Sequence, residues 1–164
     1  QDSVSIFGVK DGSDAITAFL TNPSHTVPTD SSGNIDASLI SSGNVTSAGG
    51  TYKVFIGGTD FTTANTVTYT VLSESGVDAT IGNQSGAYTI ASSGLGDIGT
   101  VTFRATIAAS VSPSGVATTI DQQYVIVKSK TGAAGSAGSA GRTPPLYKMT
   151  APSAPTRSTQ NRIG

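Results

Sequence analysis

The feature that most constrains this chain is a two-residue alternation of apolar and polar side chains, broken every few residues by Gly, Ser, Asn or Pro. It is clearest in Thr66–Val71, where Val67, Tyr69 and Val71 share one face and three threonines share the other. Thr100–Ile107 repeats it, with Val101, Phe103, Ala105 and Ile107 inward and Thr100, Thr102, Arg104 and Thr106 outward. In Ile120–Val127, residues Ile120, Gln122, Tyr124 and Ile126 fall on one side. A period of two is the signature of a strand with one buried face. Shorter runs at Val4–Phe7, Ala15–Leu20, Thr51–Ile56, Val77–Ile81 and Ala87–Ala91 bring the expected count to about eight strands. No window sustains a helical period, because glycines interrupt it.

One-sided strands must bury their apolar faces against another sheet. Short strands at intervals of about 8 to 12 residues therefore predict an all-β chain, an immunoglobulin-like sandwich over residues 15–130. Residues 1–14 read as an entry segment or linker. The stretch 29–50 is rich in Ser and Gly and offers only Ile35, Leu39, Ile40 and Val45 as anchors, so it reads either as an edge strand or as an exposed loop. With 164 residues, no cysteine and only 12% charged residues, the chain has room for one core stabilised by packing, with Ser, Thr, Gly and Asn as its polar surface.

Charge divides the chain. Residues 1–127 carry all ten acidic residues against Lys10, Lys53 and Arg104, a net of -7. Residues 128–164 carry Lys128, Lys130, Arg142, Lys148, Arg157 and Arg162 without an acid, a net of +6. Those cations are widely spaced among Gly, Ala and Pro, which argues against nucleic acid as a partner. No apolar run reaches the length of a membrane span, so no membrane insertion is expected. The first residues lack the basic start and apolar centre of a signal peptide and there is no initiating Met, as expected of a processed product or an excerpt.

At the charge boundary the composition changes too. Gly132, Gly135, Gly138 and Gly141 recur at every third position. A collagen-like triple helix admits only Gly at its axis, so these four are the candidate oligomerisation residues of a collagen-like segment, 131–141. A flexible Gly, Ala and Ser linker is the other reading of the same period. Pro144, Pro145, Pro152 and Pro155 then favour an extended basic tail over residues 142–164.

The chain is poor in reactive groups. Its one histidine, His25, lies between Pro23 and Pro28 and reads as a surface or strand-end residue rather than a general base. The pairs Asp11 with Asp14 and Asp30 with Asp36 sit in turn sequences, where Asp bonds its own backbone. Asp30, Ser32, Asn34 and Asp36 alternate like calcium ligands, but Gly33 is misplaced and Ser41 stands where a closing acid is needed. Gly94-Leu95-Gly96 opens no helix that would bind phosphate. Lys53, Lys128 and Lys130 read as solvated rather than as isopeptide donors. The expectation is no enzyme, no cofactor and no metal.

Three phrases carry a resemblance: Lys10-Asp11-Gly12-Ser13-Asp14-Ala15, Leu20 to Gly33, and Val127-Lys128-Ser129-Lys130-Thr131-Gly132-Ala133-Ala134-Gly135. With Leu146 to Pro155 after the glycine triplets, they resemble the immunoglobulin-like modules of phage tail fibre and tail-tip host-specificity proteins. The resemblance implies a virion tail protein acting outside the cell and assembled as a homotrimer. Its expected partners are other tail proteins and a host surface glycan or receptor. It implies no catalytic residues. Two rivals stand beside it: a carbohydrate-binding or adhesin domain using Tyr52, Tyr69, Tyr88 or Tyr124 as an aromatic platform, and a capsid decoration module.

Overall fold

A computed structural model describes residues 15–138 together with Gly141 and Ser153. The expected strand Val4–Phe7, the pair Asp11 and Asp14, the entry segment and nearly all of the tail lie outside the described residues.

Among the described residues eleven strands form: β1 (Ile16–Leu20), β2 (Ser24–Thr29), β3 (Ile40–Ser41), β4 (Asn44–Val45), β5 (Gly50–Ile56), β6 (Thr59–Asp60), β7 (Val67–Ser75), β8 (Ala79–Ile81), β9 (Ala87–Ile90), β10 (Ile98–Ile107) and β11 (Thr118–Lys130). One sheet has the order β1-β5-β9-β8, with β6 beside β5; the other has the order β2-β11-β10-β7. The chain thus changes sheet between its first two strands, and its last strand lies between the second and the tenth. This two-sheet order, a five-stranded sheet facing a four-stranded one, is the immunoglobulin-like arrangement.

The alternation in the sequence places the core. Tyr52 and Val54 of β5 and Tyr88 and Ile90 of β9 face Tyr69, Val101, Phe103, Tyr124 and Ile126 of the opposite sheet, all buried. Tyr88 packs on Phe103 with ring centroids 4.9 Å apart and meets Tyr124 edge-on at 5.8 Å. Gly99 permits this closeness at one end, because a Cβ there would stand 2.8 Å from the Ile126 side chain. On β7, Leu72 is an extra residue between Val71 opposite Phe103 and Ser73 opposite Thr102, a bulge that bends this edge strand.

The segment 29–50 is neither the single edge strand nor the open loop of the two readings. Ile35 bridges to Thr29, Ala37–Leu39 make a turn of 3-10 helix, and β3 pairs with β4. Val45 and Ala48 anchor it in the core.

The chain divides into two compact units between Ala133 and Ala134. The first contains the sandwich. In the second, residues 134–138 are exposed and have no regular secondary structure.

Candidate functional site

The end of the sandwich from which the chain continues into the glycine triplets is its most specialised region. Here β2 and β11 run parallel, with Ser24 opposite Val125 and Thr29 opposite Lys130. The Val125 N–H donates to the Pro23 carbonyl and the Thr131 N–H to the Thr29 carbonyl. In a parallel ladder the bonded residues recur every second position. The odd-numbered residues of β2 therefore face β11, and Pro28, which has no N–H, falls where that group would point away from it. Val27 and Thr29 are buried beneath, and Pro28 faces water, so a proline-containing edge strand is compatible with a continuous ladder.

On its other side β11 is held by β10. The Lys128 N–H donates to the Asp97 carbonyl at 2.8 Å, and the Lys130 Nζ lies 2.8 Å from the Asp97 carboxylate. That hydrogen bond and the ammonium charge hold the Asp97 carboxyl below its ordinary range, with a smaller contribution from Lys128. Both side chains are exposed, and the pair guides geometry more than it adds stability.

Beside this end lies an open groove of about 570 Å³, lined by Pro28, Ile35 and Leu39 and by Asp30, Asn34 and Asp36. Its carboxylates are already engaged. Asp30 accepts from the N–H groups of Ser32 and Asn34 and from the Asn34 side chain. Asp36 accepts from the Ser38 N–H and hydroxyl. These bonds lower the pKa of both, with the Asn34 N–H leading for Asp30 and the Ser38 hydroxyl for Asp36. Among the described residues no three His, Asp or Glu side chains converge as a metal site would require. The carboxylates are the turn-forming acids of the sequence reading.

His25 sits in mid-strand on β2, opposite Ile126 and half-buried. Lys53 pairs with Asp60 at 3.2 Å, so Lys53 and Lys130 are both engaged by exposed aspartates. All four tyrosines offered as a glycan platform are buried, which corrects that reading: they are the core. Among the described residues the exposed large aromatic is Phe19, 42% exposed, whose ring lies parallel to that of Phe55 at 6.1 Å. The alternation could have placed it, because Tyr52 and Val54 inward force Lys53 and Phe55 outward. A Cβ on Gly132, Gly135, Gly138 or Gly141 would meet nothing within 4 Å. Among the described residues, no neighbour within one chain packs closely enough to require glycine at these positions.

The arrangement is an immunoglobulin-like sandwich with a parallel edge ladder and an open groove at the end where the chain leaves it. No family model matches the chain, and no curated protein matches it. Among solved structures it is similar to protocadherin gamma B2 extracellular cadherin domains 3-6, at 9% identity over 70% of this chain and 25% of that one, with a TM-score of 0.40. It is also similar to the protocadherin gammaB7 EC3-6 cis-dimer structure, at 11% identity over 71% of this chain and 26% of that one, with a TM-score of 0.40. The chain spans about a quarter of the length of these solved chains. Likeness at that level carries no functional argument, and the fold assignment rests on the strand order.

Proposed function

We propose that the chain is a non-catalytic structural segment of a homotrimeric phage tail fibre or tail tip, in which the sandwich is a spacer and weak adhesin and residues 132–141 bring three chains together. The observation that supports this is the parallel ladder between the entry-side strand β2 and the exit strand β11. Tension applied at the two ends of the sandwich reaches β2 through β1 and pulls β2 and β11 in opposite directions along their length. Their hydrogen bonds are then strained together, in shear, instead of opening one after another. A domain so connected transmits force along a stalk without unravelling, and three weak contacts on one stalk reinforce each other through avidity.

Glycines with open space around them in the single chain are what a three-chain axis needs. Light scattering of the full chain and of a version ending at Lys130 tests the assembly. A trimer that becomes a monomer on shortening supports the reading, and a monomeric full chain at micromolar concentration overturns it.

The Phe19 and Phe55 stack favours a second reading, a glycan-binding face, with the Lys53 and Asp60 pair beside it as hydrogen-bonding groups. A glycan-array signal abolished by Phe19→Ser supports it; silence across bacterial polysaccharides counts against it.

A further inference from the structure

The outer face of the β2-β11-β10-β7 sheet changes character along its length. At the exit end Ile98 stands directly opposite Val127, and Val127 opposite Thr26. Their sheet neighbours Gly99 and Ile126 face the core, so Ile98 and Val127 both face water, 63% and 37% exposed. The next row is Thr100 opposite Val125, then Thr102 opposite Gln123. Further along, Arg104 and Asp121 form a two-point ion pair, with Nε at 2.7 Å and the second nitrogen at 2.8 Å. The face is thus aliphatic where the chain leaves the sandwich and polar, then charged, away from it. At the aliphatic end Lys130 is paired with Asp97, and Lys128 beside Val127 lies close enough to Asp97 to add to its field.

We infer that the Ile98 and Val127 end of this face is an interface with a second and third copy of this chain. The inference rests on the trimeric reading above and deepens it. β11 ends at Lys130, two residues before Gly132. If three chains converge at the glycine triplets, the exit ends of their sandwiches are brought within a few residues' reach of one another, while the opposite ends are free to splay. An aliphatic patch at the converging end, grading into charge at the splayed end, is the distribution such a contact requires. Ile98 and Val127 stand side by side on the strands that lead to the triplets, whereas Leu72 on β7 and Val116 in the turn at the opposite end are exposed singly, so the pair gains most from burial at a converging end.

The test is the full chain carrying Ile98→Asp and Val127→Asp, followed by sedimentation across a concentration series. The concentration of half-dissociation is expected to rise at least roughly tenfold over the parent chain, from the aliphatic burial lost and the like charges introduced. Val116→Asp alters a residue 62% exposed in the turn at the opposite end, and it is expected to leave the midpoint unchanged. Near-UV circular dichroism of the core tyrosines checks folding. Should the aspartate pair unfold the sandwich, Ile98→Thr with Val127→Thr carries the same test in strand-favouring residues. A trimeric parent whose midpoint neither pair moves overturns the interface and leaves the trimer standing. A monomeric parent removes the trimer itself, and the interface with it.

Discussion

The Tyr52 hydroxyl donates a 2.8 Å hydrogen bond to the carbonyl of Ile120, joining β5 of one sheet to β11 of the other through the middle of the sandwich. Tyr69 likewise donates to Thr62 at 2.9 Å, whereas the buried hydroxyl of Tyr124 has no partner. Three tyrosines of similar burial therefore differ in whether the oxygen is used. Tyr52→Phe is expected to cost about 1 kcal/mol, since it removes a bond and leaves a carbonyl short of its donor. Tyr124→Phe removes only an unpaired polar atom and is expected to be neutral or stabilising. Denaturant unfolding of the two variants checks the contrast.

The same tyrosines set an alkaline limit. Burial pushes the Tyr69 phenol up to about 12 and raises those of Tyr52, Tyr88 and Tyr124 as well. Since each folded-state pKa lies above the unfolded value of about 10, this contribution to stability is complete below about pH 10. It is lost as the pH rises towards the folded values. Phenolate absorbance should therefore lag behind that of a free tyrosine and then rise together with loss of the fold. Titration of these four tyrosines near pH 10 with the sandwich intact would contradict this packing.

Acid acts through different residues. Hydrogen bonding by Lys130 lowers Asp97, and hydrogen bonding by Arg104 lowers Asp121, in each case aided by the partner's charge. Folded values below the ordinary 3.8 mean that their contribution is present above the unfolded pKa and is lost as the pH falls through the folded one. Thermal stability should be nearly flat down to about pH 5 and fall below about pH 4, with a smaller fall in Asp121→Asn.

Gly86 occupies a left-handed conformation at φ +65, and a Cβ there would stand 2.6 Å from the Tyr52 carbonyl oxygen. Neither the backbone nor the neighbour can yield cheaply. Gly86→Ala is expected to destabilise by about 2 kcal/mol or more, measurable by thermal unfolding.

The sequence made much of this fold legible because its strands are one-sided. Val67, Tyr69, Val101, Phe103, Ala105, Ile107, Tyr124 and Ile126 all point inward, as the alternation in β7, β10 and β11 requires. β2 escaped because its six residues include a proline and a histidine and hold one buried aliphatic, Val27. Strand propensity counts against such a segment, and only its parallel pairing with a residue about a hundred positions later makes it a strand. The two-residue strands β3, β4 and β6 are too short to show a period. At the candidate site, the turn role of Asp30 and Asp36 was readable from their neighbours. The aliphatic pair Ile98 and Val127 was implied by the alternation but depends on knowing that β10 and β11 lie side by side.

The force-transmitting role of the β2 and β11 ladder is the centre of this account, and pulling single molecules from both ends tests it most directly. The bonded positions on β2 are the odd-numbered ones, so His25→Pro removes a donor from the ladder and Thr26→Pro does not. The account predicts one cooperative rupture of the sandwich, at a force that His25→Pro lowers and Thr26→Pro leaves nearly unchanged. Stepwise peeling of β11 at low force, or equal rupture forces for the parent and His25→Pro, would contradict it.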